Sequence, residues 1–254
     1  MRLPAAILIY TFVFSGIGAS AQADNAADIF DKPWRVERTA LPKDSFSGSQ
    51  SNPALSCFHY ANVTVKQIDR GAMGAEQISL IPPDADQPTA QCTEANASGE
   101  KVLNGQKWSG YFMGVRADYA FVEAADGVNG GVSFAVFAVP GGQKIFEDLA
   151  NGLHGIDPMA NGLMLRYRRV YPASCSLYAD LAGCWDKVKQ ETGLTGEAPD
   201  CTAAYFAEIK RVEACAQETA ASPSVIDYEV VTLIEGARSA TKPLPGQLAC
   251  RLSD

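Results

Sequence analysis

The sequence of residues 119–139, YAFVEAADGVNGGVSFAVFAV, decides the fold. Two runs of apolar and aromatic residues flank a dense turn signal at residues 126–131, which is typical of a β-hairpin. The second run, residues 132–139, is apolar at odd and even positions alike. Because a strand with one face in water alternates polar and apolar residues, this strand is predicted to be covered on both faces.

The strand pattern continues on both sides of this hairpin. Residues 111–115 precede it, and after a Pro-Gly-Gly turn a short run follows at residues 144–146. The Gly-rich residues 151–162 are expected to form a loop. After them, residues 163–171 again alternate apolar and polar side chains, which predicts another strand. Strands joined in this order by turns predict an antiparallel meander.

Further strand signals lie outside the meander. Residues 57–67 alternate with a period of two, which predicts one strand, and residues 76–81 are its expected partner. The polar residues 84–101 are predicted to form a surface loop. Residues 226–234 return to strand character near the end of the sequence.

Two helices are predicted between these strands. The first begins after Ser174 or Ser176 and ends at Gly193, and the second begins after Asp200. Apolar residues recur at helical spacing in both. These residues are Leu177, Leu181, Cys184, Trp185 and Val188 in the first helix and Cys201, Tyr205, Ile209, Val212 and Ala216 in the second.

The order of elements predicts an α+β fold, a mostly antiparallel meander sheet with a disulfide-tied antiparallel helical hairpin packed on one face. We expect a signal peptide at residues 1–23, a flexible N-terminal arm at 24–53, and a single domain at 54–254 with the hairpin at about 174–220. The arm is rich in charge, Ser and Pro, and we expect it to dock at one point through an apolar group. That group consists of Ile29, Phe30 and Trp34.

The first 23 residues are typical of an export signal. One Arg precedes the apolar run 5–14, and Ala21-Gln22-Ala23 supplies the small residues of a cleavage site. The run is too short to span a membrane and no Cys follows it to carry a lipid, so we expect no transmembrane segment after cleavage. The Ala-rich sequence favours the bacterial periplasm. The alternative is an extracellular protein, in which Asn62 and Asn96 lie in glycosylation motifs.

The composition, with 47% hydrophobic and 20% charged residues, is that of an ordinary globular protein. A formal net charge of −8 makes nucleic acids and anionic membranes unsuitable partners. Arg166, Arg168 and Arg169 form a local exception, because three cations lie within four residues of an acidic chain.

Seven cysteines in an oxidising compartment predict structural disulfides and one unpaired thiol in a monomer. No Cys-x-x-Cys motif suggests redox chemistry. In an antiparallel hairpin Cys175 lies beside Cys215, whereas Cys184 and Cys201 are about 10 Å out of register. Elsewhere Cys57 and Cys92 bracket a strand pair and a loop, although Cys250 can replace either. The six bridge candidates are Cys175, Cys215, Cys57, Cys92, Cys184 and Cys201.

Arg166, Arg168 and Tyr167 are the candidate ligand-binding residues. Both arginines alternate with the apolar residues of their strand and therefore point away from its apolar face. A guanidinium group matches a carboxylate or a phosphate with two parallel hydrogen bonds, and a neighbouring tyrosine adds aromatic surface. The alternative role of these arginines is in salt bridges to the acidic surface.

Acidic and amide side chains gather around the turns of the meander. If the strand ends converge, these side chains can supply oxygen ligands for calcium or the acid and base of a glycosidase. Their spacing does not match an EF-hand loop, and turn chemistry alone accounts for several of them. The residues are Asp118, Glu123, Asp126, Asn129, Glu147 and Asp148.

Only His59 and His154 are available for imidazole chemistry, which excludes a multi-histidine metal site. Cys57 and His59 lie two residues apart and can supply two metal ligands or a nucleophile with its base, but a bridge and a half-buried strand residue are favoured. His154, a possible base in a Gly-rich segment, is favoured as a surface residue. No serine-hydrolase elbow, P-loop or dinucleotide fingerprint occurs, and we expect no metal and no cofactor.

These patterns favour an exported, disulfide-stabilised, non-catalytic binding or interaction module of the cell envelope. Its partner is a protein, an envelope component or a small ligand. The alternative is an exported hydrolase with a carboxylate-based or calcium-assisted site at the turn end of the meander. Carboxylates that converge in a pocket favour the hydrolase, whereas an exposed apolar or arginine-bearing patch favours the module.

Overall fold

The structure, a computed structural model, describes residues 29–43, 52–83, 91–105 and 109–253. The signal peptide expected at residues 1–23 lies outside the described residues, as does part of the expected arm. The strands are β1 (Arg35–Ala40), β2 (Ala54–His59), β3 (Thr64–Asp69), β4 (Gln77–Ile81), β5 (Lys101–Val102), β6 (Gly110–Arg116), β7 (Tyr119–Val128), β8 (Gly131–Ala138), β9 (Lys144–Met159), β10 (Gly162–Pro172), β11 (Ser224–Glu235), β12 (Arg238–Pro243) and β13 (Ala249–Leu252). The helices are α1 (Leu181–Thr192), α2 (Thr202–Arg211) and α3 (Ala216–Ala221), and a 3-10 turn spans Glu213–Cys215.

Two antiparallel sheets make up the strand structure. The small sheet has the strand order β1-β2-β3-β4-β5. The large, eight-stranded sheet has the order β12-β11-β10-β9-β8-β7-β6, and β13 pairs with the beginning of β11 beyond the end of β12. The strands from β6 to β9 follow one another in both sequence and space, so the predicted meander is confirmed.

Strand β8 is covered on both faces, as the apolar residues at its odd and even positions predict. Phe134 and Val136 point into a core that includes residues of α1 and α2. Ala135 and Phe137 point the other way, into a second core that the large sheet shares with the small sheet. The sequence therefore indicated a double cover, but it did not indicate that the second cover is another sheet.

Two strand boundaries differ from the sequence prediction. Residues 57–67 form a hairpin of β2 and β3 rather than one strand, and the Tyr60 N–H donates to the Val63 carbonyl across the turn at 2.8 Å. The Gly-rich segment expected to be a loop is the second half of β9, which pairs with β10. Gly152, with φ of +88°, lies in an irregular part of this pairing, where β9 contributes more residues than β10.

The N-terminal segment 29–43 is integrated into the fold, whereas we expected a loose arm with one docking point. Phe30 packs edge-to-face on Phe121, with ring centroids 5.4 Å apart. A Cβ at Gly114 would lie 2.4 Å from the Phe30 ring, so this close approach requires glycine. Asp31 pairs with Arg116 at 2.9 Å, and the chain then forms β1 at the edge of the small sheet.

The helices begin and pack differently from the expected hairpin. Helix α1 starts after Asp180, whose side chain accepts a hydrogen bond from Gly183 N–H, and it ends at Gly193 in the left-handed conformation. Leu181, which we placed on its buried stripe, is 55% exposed. Helix α2 contacts α3 and β13, and an antiparallel α1–α2 hairpin is not confirmed. None of the helices in the described residues is long and apolar enough to cross a membrane.

Three disulfides stabilise the domain, and their pairing corrects the hairpin register. Cys175, which precedes α1, is joined to Cys184 within α1 and not to Cys215. Cys201 is joined to Cys250, so the start of α2 is tied to the last strand. Cys215, included among the expected bridge residues, is a free and exposed thiol.

The third disulfide joins Cys57 to Cys92 and ties segment 91–100 to the small sheet. A buried ion pair supports the same contact, with Lys66 Nζ 2.8 Å from a Glu100 carboxylate oxygen. Burial raises the pKa of Glu100, but hydrogen bonds from Lys66, Ser79 and the Ala97 N–H outweigh it, so the pKa lies below its ordinary value. The hydrogen-bonded Lys66–Glu100 pair therefore holds segment 91–100 against the small sheet.

Candidate functional site

Among the described residues, no apolar core covers the side of β10 and β11 that lies opposite the helices. Met164, Arg166 and Arg168 lie on this side and belong to none of the apolar cores. They are exposed or half-buried, as are Val231 and Leu233, which lie beside them on β11. The small sheet covers the same side only at the other end, over β6 to β8. We call this area the open face.

Arg166 and Arg168 are both held by carboxylates on the open face. Arg166 pairs with Asp157 of β9 at 2.8 Å, and Arg168 pairs with Glu229 of β11 at 3.4 Å. His154, expected on the surface, is half-exposed and lies 3.6 Å from the other Glu229 oxygen. The arginine side chains remain 50% and 25% exposed, so each has N–H groups that water reaches.

The guanidinium of Arg166 packs over the backbone of Gly155, a residue of the neighbouring strand β9. A Cβ at Gly155, its register partner, would be 3.2 Å from the Arg166 Nε and Nη2 atoms. A larger residue at Gly155 would therefore displace the arginine. Because Gly155 has no side chain, the guanidinium can pack directly against the backbone of β9, and this contact limits the positions of the Arg166 side chain.

Sequence reasoning missed the other charged residues of the open face. In the strand register Lys242 of β12 is opposite Val231, which is opposite Arg166. Lys242 therefore lies on the same side of the sheet as the two arginines. Asp157, Glu229 and Lys242 come from three different strands. Only the strand register brings them together, and no local motif in the sequence signals it.

Tyr167 does not belong to the open face. It is fully buried on the opposite side of β10, and its hydroxyl donates to Asp148 Oδ2 at 2.5 Å and contacts Thr232 Oγ1 at 3.1 Å. Burial and the Asp148 charge raise the pKa of Tyr167 above its ordinary value. Its assignment as a ligand-binding residue is wrong, because alternation along β10 puts it with the core residues Leu163 and Leu165.

Cys57 and His59 are each occupied by a structural contact. Cys57 lies in the disulfide to Cys92. His59 is buried, with Nδ1 2.9 Å from Thr64 Oγ1 and Nε2 2.9 Å from Glu37 Oε1. The imidazole thus connects three strands of the small sheet, β1, β2 and β3. These contacts account for both residues without a metal or a nucleophile.

The carboxylates of the meander do not gather into one site. Asp118 accepts a hydrogen bond from Asn62, Glu147 pairs with Lys144, and Asp126 is exposed. The backbone carbonyl of Asn129 accepts from Arg251. Asp148 is 10% exposed and pairs with Arg169 at 3.0 Å. In the described part of the chain, no group of three or more His, Cys, Asp and Glu residues is placed to hold a metal ion.

Glu123 is the exception among these carboxylates. It lines a cavity of about 140 Å³ together with Met113, Val132, Phe134 and Leu153. Within the residues that the structure describes, no donor or cation contacts its carboxyl group. Burial raises the pKa of Glu123 above its ordinary value. We call this cavity the Glu123 pocket.

No protein-family model, no curated protein and no solved structure matches this chain. Three disulfides indicate an oxidising, exported environment.

Proposed function

We propose that this protein is an exported, disulfide-stabilised binding module of the cell envelope, and that it binds the anionic group of its ligand on the open face through Arg166 and Arg168. The periplasm is the proposed compartment. The supporting observation is the open face itself, a sheet surface that no other described element covers, on which two partly exposed arginines pair with Asp157 and Glu229.

Partial exposure and pairing together make these arginines suitable for binding. A carboxylate partner fixes each guanidinium through some of its five N–H groups and leaves others for a ligand. A positioned arginine loses less side-chain entropy when it binds a carboxylate or a phosphate. Met164, Val231 and Leu233 offer an apolar surface beside the charges, which favours a ligand that is anionic at one end only.

The test is isothermal titration of the mature protein with inorganic phosphate and with octanoate, an anion that carries an apolar chain. We expect octanoate to bind more tightly than phosphate. We expect the variant with Arg166→Gln and Arg168→Gln to lose binding by about tenfold or more, because each charge-assisted hydrogen bond is worth about 1.5–3 kcal/mol. Affinity should also fall as the salt concentration rises.

Arg211→Gln is the matched control, since Arg211 is also an exposed arginine paired with a carboxylate, Glu208, but lies on α2. Equal losses in the control and in the double variant would contradict the proposed site, as would no binding of either anion. The protein for this titration should be isolated unreduced from the periplasm. Its mass before and after alkylation should show removal of residues 1–23 and one labelled thiol, that of Cys215.

A further inference from the structure

The Glu123 pocket lies where the regular pairing of the large sheet is interrupted. The register shifts between Phe112 and Gly114 in the β6–β7 pair, and the extra residue, Met113, lines the pocket. The β7–β8 register shifts immediately after Glu123. In the β9–β10 pair the register also shifts beside Leu153, and Leu153 lines the pocket. Bulges redirect side chains and are common beside binding sites.

Apart from Glu123 and Asn151, the residues that line the pocket are apolar or glycine. Met113, Val132, Phe134 and Leu153 supply side chains from three strands, and Gly130 and Gly152 leave room at the rim. The volume of about 140 Å³ is close to that of an apolar cavity of about 150 Å³ that takes up a benzene ring. One aromatic ring, or an aliphatic group of the same size, therefore fits.

The charge in the pocket is one carboxylate without a counterion. Buried and half-buried carboxylates are normally paired with a cation or with hydrogen-bond donors, because desolvation of an unpaired charge is costly. Glu123 is the only ionisable side chain that lines the pocket, and it has no such partner within the described residues. A ligand that brings a positive charge would supply the missing partner.

Two larger grooves among the described residues lack this combination. The groove beside Tyr178 and Leu181 has a volume of about 350 Å³, but its carboxylate, Asp200, already accepts the Thr202 N–H. The groove of about 330 Å³ beside Leu194 contains Glu197, which is exposed to water. Of these three pockets, as the described residues form them, the Glu123 pocket is the one in which an unpaired, half-buried carboxylate meets an apolar wall.

We propose that the Glu123 pocket binds a small primary amine in its ammonium form, with the apolar body against Phe134 and Met113 and the ammonium group paired with Glu123. This site is separate from the arginines of the open face, and it does not depend on the function proposed for them. The ligand is a free arylalkylamine rather than a lysine side chain, because a ring packs against the ring of Phe134, which lines the pocket, and an aliphatic chain lacks this aromatic contact.

The test uses benzylamine as the probe, at pH 7, where its amine is charged. Titration calorimetry with the mature protein should show binding, and benzyl alcohol, the neutral analogue of nearly the same shape, should bind at least about tenfold more weakly. Glu123→Gln should weaken benzylamine by about the same factor and leave benzyl alcohol unaffected. Butylamine, which resembles a lysine side chain, should bind more weakly than benzylamine.

Two further variants locate the binding. Asp126→Asn removes an exposed carboxylate of the same strand outside the pocket, so it should not change the affinity. Val132→Phe adds bulk at a partly exposed wall residue and should weaken both benzylamine and benzyl alcohol. The proposal is overturned if benzylamine does not bind, if Glu123→Gln binds it as well as the original protein does, or if Asp126→Asn is equally weakened.

Discussion

Glu123 and Asp148 lie on either side of one phenylalanine, yet their environments differ completely. Phe134 of β8 is the register partner of Glu123 on β7 and of Asp148 on β9, so both carboxylates share one side of the large sheet. Asp148 accepts hydrogen bonds from the Tyr167 hydroxyl and the Arg169 guanidinium. Glu123 has no partner within the described residues.

The difference separates a structural carboxylate from a candidate binding carboxylate. Around Asp148 every interaction is internal, because the Tyr167 hydroxyl also contacts Thr232, which in turn contacts Thr241 at 2.8 Å. Such a network fixes the packing of four strands, β9 to β12. An unpaired carboxylate destabilises the fold instead, and proteins commonly retain such a cost at functional sites.

Replacement of Asp148 by Asn should have the largest effect in this comparison. The change preserves the shape but leaves Arg169, which is 26% exposed, without its counterion. Because water reaches the arginine in part, we expect a loss of about 2 kcal/mol in the free energy of unfolding, below the range for a fully buried pair. Urea denaturation at pH 7 measures it. Glu147→Gln, a neighbouring exposed carboxylate, is the control and should change stability by less than about 0.5 kcal/mol.

A loss at Asp148 no greater than that at Glu147 would contradict the distinction drawn here, since both would then behave as surface carboxylates. A loss well above the range for a buried pair would mean that the Asp148 network supports more of the fold than its direct contacts indicate. The first outcome would remove the contrast between Asp148 and Glu123, and the second would enlarge it.

Much of this architecture could be predicted from local periodicity. The turn at residues 126–131 and the apolar run after it indicate the β7–β8 hairpin and its double cover, and both features are present. The second cover could not be predicted, because an apolar strand face does not reveal whether a helix or a sheet packs on it. The β2–β3 hairpin was missed since alternation continues across the turn at Ala61 and Asn62.

The pairing of the cysteines could not be predicted, because it depends on how the helices pack. The Cys175–Cys215 hypothesis assumed that α1 and α2 are antiparallel neighbours. In the structure α1 begins at Leu181, and the residues before it fold back so that Cys175 reaches Cys184. The tertiary contact of α2 with β13, which pairs Cys201 with Cys250, has no counterpart in local sequence pattern.

The candidate sites show the same limit. Alternation along β10 correctly places Arg166 and Arg168 away from the core, and the same rule excludes Tyr167, which should not have been grouped with them. Glu123 was one of six polar residues chosen for their nearness to turns. Nothing in the sequence distinguishes it from Asp148, because the difference arises from the bulges and from partners on other strands.

Replacement of the buried Tyr167 by Phe tests the hydrogen-bond network around Asp148. The change removes one hydroxyl and keeps the ring, whose centroid lies 5.2 Å from that of Phe134. Asp148 retains Arg169 and Thr232 retains Thr241, so no partner is left entirely unpaired. We expect a loss of about 1 to 1.5 kcal/mol in the free energy of unfolding.

The coupling between these two sites is measurable in a double-mutant cycle with Asp148→Asn. We expect the double variant to lose less than the sum of the single losses, because both changes remove the same hydrogen bond. Additive losses would show that the Tyr167 hydroxyl and Asp148 act independently. The short contact would then contribute little to stability.

Replacement of Glu123 by Gln should have the smallest effect and the opposite sign. Burial raises the pKa of Glu123 above its ordinary value of 4.5, so the folded protein binds this proton more tightly than the unfolded chain does. The original protein therefore loses stability relative to the variant as the pH rises from about 4.5 through the raised pKa. At pH 7 we expect the variant to be the more stable of the two proteins, and below pH 4 the difference should disappear. Urea denaturation of both proteins from pH 3.5 to pH 8 measures this dependence.

A variant that is less stable at pH 7 would mean that Glu123 is paired in solution, and its contrast with Asp148 would no longer hold.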